Sequence, residues 1–276
     1  MNLRATNIQT KSDAIGKYLK THDLDVFTSL HTIIINISEA CNRKCSFCPR
    51  GNGYTSPSYL SQFMDIKVIA KLVEQLRNKF QGTFSLSGFG EPALHPYLQE
   101  LIYKLKECDK ARVLLTTNGD FHGRLVDLEV DNIDVSLYDE SAELKIKDLN
   151  TKSPLQFKTQ YKENNTFWNN RAGNVGKSDV HIPSSCCNIC FMKITIDING
   201  DILQCCSDWS REHILGNIFT DDIYEIWINR LKEDRMHLIG DRRELCKLCS
   251  KCDSPGNLYG EEFKNFWSDY YEKHQS

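Results

Sequence analysis

The 276-residue sequence lacks a strong charge of either sign: 34 basic and 37 acidic residues leave a formal net charge of −3. That excludes the broad basic surface that a nucleic acid or an anionic membrane would require. It has no apolar run near 18 residues, which excludes a transmembrane helix. Met1 to Gly16 is polar and has no apolar core segment, so no secretory signal is read there and a cytoplasmic location is expected. Internal repeats of 20–50 residues and low-complexity tracts are missing too, which excludes solenoids and arrays. With 40% hydrophobic and 26% charged residues the composition is that of an ordinary globular protein. The length allows one large domain or two smaller ones, with a core that needs no staples.

Cysteine is the residue in excess, at 12 positions. In the absence of an export signal, clustered cysteines read as metal ligands rather than disulfides. Eleven fall in two groups. The first is Cys41-x3-Cys45-x2-Cys48, and the second runs from Cys186 to Cys252. Cys108 stands alone between them and reads as a buried apolar residue. The grouping divides the chain into a leader with one helix over 1–30, a unit over 31–180, a second unit over 181–255 and a tail over 256–276. The joint is expected in 162–185, rich in Asn, Gly, Ser and Lys.

Apolar periodicity supplies the elements. Thr32 to Ile37 is a β-branched run and predicts a buried strand. Further strands are predicted over Thr83–Ser87, Arg112–Thr117, Asn132–Leu137 and Leu155–Tyr161. Helices are predicted over Asp65–Phe80, Pro96–Glu107 and Asp139–Lys147. This alternation predicts an α/β fold with a parallel sheet. The second unit differs. Lys193–Ile198 and Asp201–Gln204 flank Asn199-Gly200, a strong hairpin signal. A helix is predicted over Asp221–Arg235 and another over Glu261–Tyr271, the latter with Phe263, Phe266 and Tyr270 as its docked stripe.

Three thiols on one short loop can hold one corner of a metal site. Iron–sulfur clusters usually take four cysteines, so three with no near fourth suggest an iron left open; zinc with a distant fourth ligand is the plainer alternative. Cys-x3-Cys-x2-Cys after a first strand resembles the signature of the radical S-adenosylmethionine (SAM) enzymes. Gly88-Phe89-Gly90-Glu91-Pro92 follows the second strand, Thr117-Asn118-Gly119 the third, and Ser136 ends the fourth, in the order that family shows. Each alone reads as turn punctuation. Together they sit at the C-terminal ends of successive strands, where βα barrels carry their chemistry. The resemblance implies a partial (β/α)6 TIM-like barrel. It implies a 4Fe–4S cluster on Cys41, Cys45 and Cys48, with SAM on the open iron. Phe47, Gly88, Gly90, Glu91, Asn118 and Ser136 would then contact SAM. The chemistry implied is reductive cleavage of SAM to a 5′-deoxyadenosyl radical that abstracts hydrogen, with the cofactor carrying the hard step.

Cys187, Cys205 and Cys246-x2-Cys249 offer four more thiolates, for which zinc is the simplest occupant. Around a hairpin and after a helix they resemble the SPASM/twitch extension of the same family, which implies one auxiliary 4Fe–4S cluster. Cys186, Cys190, Cys206 and Cys252 are left unassigned. The order of motifs from Ile33 to Cys249 resembles the small twitch-type dehydrogenases that oxidise an aminocyclitol alcohol to a ketone. By that resemblance Arg171, in Asn170-Arg171-Ala172-Gly173, would face the substrate and assist proton loss, and Phe89 would line its pocket. The residue-level alternative for Arg171 is a surface arginine in a Gly/Asn-rich loop. The implied substrate is a sugar or aminocyclitol, free or linked to a nucleotide or carrier. A flavodoxin- or ferredoxin-type protein would donate electrons. Redox-neutral epimerisation with a cysteine hydrogen donor, peptide side-chain modification, and a non-catalytic zinc or redox module are the competing functions.

Overall fold

The structure, a computed structural model, describes residues 3–159, 169–176, 187–254 and 259–274, with the side chains of 3–7, 141, 142 and 159 left out. Cys186, the end of the fifth predicted strand and most of the 162–185 joint lie outside the described residues.

One sheet organises the chain. Its strands are β1 (Thr32–Ile35), β2 (Thr83–Leu86), β3 (Arg112–Thr117), β4 (Asn132–Leu137), β5 (Leu155–Thr159), β6 (Lys193–Ile196), β7 (Asp201–Leu203) and β8 (Ile214–Asn217). The order is β5-β4-β3-β2-β1-β6-β7-β8. The first six are parallel, and β6 lies beside β1 with Ile33 opposite Ile194. The predicted hairpin is present as β6–β7. Gly200 turns it at φ 85°, a conformation that favours glycine. The first strand of that hairpin is thus the sixth parallel strand, and the sheet runs unbroken across the boundary expected near residue 180.

Side-chain alternation along the strands sorts the two faces. Ile33, Ile35, Phe84, Leu86, Val113, Leu115, Ile133 and Val135 are completely buried in the core. The helices α1 (Leu3–Leu19), α2 (Ile66–Leu76) and α3 (Leu98–Leu105) contribute to the same core; α4 (Glu140–Ile146) follows β4. Asp65 caps α2 by accepting from the Lys67 amide at 2.8 Å. Val68, Ile69, Leu72, Val73 and Leu76 make its buried stripe. The intervening strand residues, among them Thr32, Ser85, Thr116, Asp134 and Ser136, line a cavity of about 1070 Å³. Most of these positions are polar because they face this lumen, with Ile34 and Leu114 as apolar exceptions.

The helix predicted over Asp221–Arg235 is three pieces: α6 (Ile223–Glu225), a π turn over Ile226–Arg230 and α7 (Lys232–Ile239). α5 (Ile189–Met192) leads into β6, and α8 (Glu261–Lys273) closes the described chain. Arg235 lies fully buried between Trp227 and Trp267, its guanidinium carbon 3.9 and 3.7 Å from their ring centres. It donates to the carbonyls of Trp227 (2.6 Å) and Cys190 (3.0 Å). On α8 the fully buried residues are Phe263, Trp267 and Tyr271, with Phe266 and Tyr270 flanking. The predicted stripe is therefore rotated, because Trp267 must reach Arg235.

α1 is tied to the body. Ile15 is buried, and Tyr18 donates to the Thr28 carbonyl at 2.9 Å and stacks edge-on to His31. Burial first, then Lys193, pulls the His31 pKa from 6.5 to about 3, so the ring is neutral in the folded protein. The linkage follows in sign. The neutral ring's contribution is complete above the unfolded value and is lost as pH falls toward the folded one. Between pH 7 and pH 5 the native state should lose about 2 kcal/mol through this group. Urea unfolding at the two pH values checks it: His31→Gln should show a smaller difference by that amount, and an unchanged difference would refute it.

Candidate functional site

The loop after β1 carries the first cysteine group to the mouth of the lumen. Cys41, Cys45 and Cys48 are unbridged and all line the cavity. The loop is wound tightly: the Cys48 amide donates to the Cys45 carbonyl and the Gly51 amide to the Cys48 carbonyl, each at 3.0 Å. A Cβ on Gly51 would stand 2.1 Å from the Cys45 carbonyl oxygen, so only glycine permits the approach. Burial and its two sister thiols push Cys45 up to about 11, and burial raises Cys41. Thiols in this state are ligands only when a cation takes the place of their protons. No group of three His, Cys, Asp or Glu among the described residues is packed for a single metal ion. Thiols alone, near one another but not converged on one point, suit the corners of a cluster better than zinc.

The turn after β2 is built by exclusion. Gly88 has φ 144°, and a Cβ there would meet Asn36; a Cβ on Gly90 would stand 2.2 Å from the Ser38 carbonyl oxygen. Glu91 is buried, and its carboxylate accepts from the Ala93 amide (2.9 Å), the Thr117 hydroxyl (2.6 Å) and the Asn118 amide (2.8 Å). Burial raises its pKa against these three donors. Glu91 thus bolts the ends of β2 and β3 together. Asn118 also donates to the Asn42 side chain at 2.8 Å, and so joins the cysteine loop. Phe47 stacks on Tyr138 with ring centres 5.8 Å apart, and Ser136 bounds the cavity beside them. Arg43, paired with Asp120 and Asp139, lies over the Tyr138 ring.

A buried charge network that the motifs do not announce lies under these loops. Glu39 receives Arg50 (2.9 Å), Ser56 (2.6 Å), Asn36 (2.8 Å) and Arg211 (2.5 Å). Arg211 also pairs with Asp197 and donates to the Tyr54 hydroxyl at 2.7 Å. Arg50 donates to the Phe89 carbonyl at 2.6 Å. Two carboxylates and two guanidiniums therefore balance, and they connect the cysteine loop, the glycine turn, the β6–β7 hairpin and the segment after Cys205. Phe89 is 1% exposed and packs on Trp209 with ring centres 4.5 Å apart. It borders the cavity as packing, and Trp209 is a cavity residue that sequence reasoning missed. No motif in the sequence marked Trp209, which follows the auxiliary cysteines Cys205 and Cys206 in chain order.

Arg171 lines the lumen from a strained loop. Arg171, Ala172 and Gly173 have φ of 48°, 52° and 88°, left-handed in succession. The loop is held from the far side: the Asn170 amide donates to Asp253 at 2.6 Å and its side chain to the Lys251 carbonyl at 2.8 Å. Residues just after Cys249 thereby set the position of Arg171. Cys187 and Cys206 lie within electrostatic reach of Cys205, whose thiol is hydrogen-bonded to that of Cys206. The thiols of Cys246 and Cys249 form a second hydrogen-bonded pair. The Ser207 amide points at the Cys205 sulfur at 3.4 Å. Of the unassigned cysteines, Cys206 faces the cavity and Cys190 is buried.

The radical SAM superfamily model matches residues 35–153, and the SPASM iron–sulfur cluster-binding domain model matches 186–253. The chain is a radical SAM enzyme with a SPASM domain. Its two domain matches carry with them SAM and two 4Fe–4S clusters, and the all-thiol donor sets described above fit such clusters. The radical SAM chain is 27% identical over 235 residues to the S-adenosyl-L-methionine-dependent 2-deoxy-scyllo-inosamine dehydrogenase of Niallia circulans, covering 80% of this chain and 92% of that protein. It is 35% identical over 114 residues to a probable GTP 3′,8-cyclase of Sulfolobus acidocaldarius, covering 40% and 34%. Among solved structures it resembles BtrN in complex with AdoMet and 2-DOIA, with TM-score 0.66, 21% identity and coverage of 83% and 97%. BtrN in an open conformation matches with TM-score 0.55, 19% identity and coverage of 82% and 92%. These structures share the fold. No helix among the described residues is long and apolar enough to cross a membrane.

Proposed function

We propose that this radical SAM enzyme oxidises a secondary alcohol of a sugar or aminocyclitol to a ketone. The observation that carries the reading is Arg171, set on the lumen wall by the strained turn and clamped through Asn170 to the segment after Cys249. The near full-length match to an alcohol-oxidising relative supports it. When bound, SAM and the two clusters would supply the hydrogen acceptor, the incoming electron and the sink for the outgoing one.

The chain's own residues have distinct tasks in this reading. Cys41, Cys45 and Cys48 hold the first cluster, and Cys187, Cys205, Cys246 and Cys249 the second. The Phe47–Tyr138 stack offers a face for adenine. Gly88 and Gly90 keep the β2 turn close enough for its backbone to meet the amino acid part of SAM. Asn118 and Ser136 offer polar contacts, while Glu91 orients both turns rather than binding. Arg171 holds the alcohol oxygen and stabilises the negative charge that develops as its proton leaves. Phe89 and Trp209 exclude water from one wall. The electron donor is a flavodoxin- or ferredoxin-type protein.

The test is anaerobic turnover of the reconstituted enzyme with SAM, a reductant and a panel of polyols. One ketone per 5′-deoxyadenosine is expected, and Arg171→Gln should lower kcat by about 10²-fold while leaving both clusters intact. Cys206 on the cavity wall gives the epimerase reading a specific foothold. Solvent deuterium at the reacting carbon, without ketone, would replace oxidation by epimerisation.

A further inference from the structure

The lumen is unbalanced in charge. Its acidic wall residues are already engaged: Glu91 by three donors, Asp134 by Lys158 and by Asn132 at 2.7 Å, and Asp13 by Gln9 at 2.8 Å. Among its basic wall residues Arg43, Arg50 and Lys158 are paired. Lys11, Arg171 and Lys193 also line it, and among the described residues none of the three has a carboxylate in ion-pair range. They converge. Lys193 donates to the Tyr259 hydroxyl at 3.2 Å, Lys11 lies 5.6 Å over the same ring, and all three cations are within electrostatic reach of Cys206. Three cations brought to one end of a shared cavity, with the auxiliary-site thiols as the only counter-charge beside them among the described residues, leave positive charge over and favour an anion from outside the chain.

We infer that the substrate carries an anionic group, phosphate or carboxylate, seated between Lys193 and Lys11 at the auxiliary-cluster end of the lumen, with Arg171 next to it on the alcohol oxygen. This rests on the alcohol-oxidation reading and narrows it. A cyclitol bearing a free amine would meet like charge here, so the chain's substrate differs from the inosamine in its relative's name. The N-terminal helix takes part through Lys11. Lys17, Lys110 and Arg112 farther along the same wall extend the positive field and favour capture of an anion from solution.

Calorimetric titration of the anaerobically reconstituted holoenzyme, with SAM present, tests this with four probes: glucose 6-phosphate, glucuronate, glucose and glucosamine. The two anions should bind at least tenfold more tightly than glucose, with glucosamine weakest, and added KCl should weaken the anions only. The tighter of the two anions identifies phosphate or carboxylate. Lys193→Gln should raise the Kd of the anions about tenfold, and the exposed Lys11→Gln, which leaves the core untouched, should raise it several-fold. Equal or tighter binding of glucose or glucosamine overturns the inference, as does failure of both anions to bind. So does a Lys193→Gln enzyme with unchanged anion affinity and a shifted auxiliary-cluster midpoint potential, since the cations would then serve the cluster alone. Ketone formed efficiently from an aminated or neutral alcohol would sink the anion and spare the oxidation; anions that bind as stated while no alcohol yields ketone would do the reverse.

Discussion

Cys45→Ala is expected to lose about four irons per chain and to abolish 5′-deoxyadenosine formation. Cys41, Cys45 and Cys48 lie on one wound loop, and in the proposed reading each supplies one corner of the cluster. Taking away the middle thiol leaves two ligands that cannot hold a cubane. The auxiliary cysteines sit on other elements and should keep their iron. Iron and sulfide assays on the reconstituted variant, read beside Cys108→Ala, measure this. Cys108 is buried away from both groups, so its variant should retain the full iron content and cleave SAM. Full iron content in Cys45→Ala would remove the cluster from this loop.

Arg211→Met is expected to cost about 3–5 kcal/mol of stability. Arg211 is 6% exposed, Glu39 3% and Asp197 fully buried. Methionine keeps much of the volume but leaves Asp197 without a cation, held only by the Asn36 amide at 2.9 Å, and leaves Glu39 with Arg50 as its one cation. The cost comes from uncompensated buried charge, so a paired change should recover part of it: Arg211→Met with Asp197→Asn should be less destabilised than Arg211→Met. Arg211→Lys should fall between, because one ammonium cannot reproduce the forked contacts to two carboxylates. Urea midpoints of the apo chains provide the comparison, and equal midpoints for Arg211→Met and the unaltered chain would refute the network's role. Because the network holds both the cysteine loop, through Arg50, and the hairpin, through Asp197, the variant should also reconstitute iron more slowly.

Local signals made much of this molecule legible. Strand β3 and strand β4 fall on their predicted residues, since each is a short segment that sets buried apolar residues (Val113 and Leu115, Ile133 and Val135) between mostly polar ones. The cysteine loop and the glycine turn were visible because close approach and thiol ligation leave few residue choices. The π turn and the buried Arg235 were not visible. An arginine on a predicted helix reads as a solvated end, and only the meeting of Trp227 with Trp267, forty residues on, makes a buried place for it. Glu39 and Arg211 were hidden for the same reason: their partners lie at sequence separations no pattern records. The lumen's polar wall was in plain view as alternate Thr, Ser, Asn and Asp along the strands. The pairing of β6 with β1 was not, because register between distant strands is set by the whole core.

That pairing bears on how separable the two halves are. β1 is the innermost strand of its neighbourhood, hydrogen-bonded to β2 on one side and β6 on the other. A chain cut before β6 would leave β1 with a bare row of amides and carbonyls along one side, a template for joining to another molecule. The cysteine-bearing second half is therefore the seam that seals the first, and grafting it onto a different barrel would mean grafting a strand into the middle of a sheet.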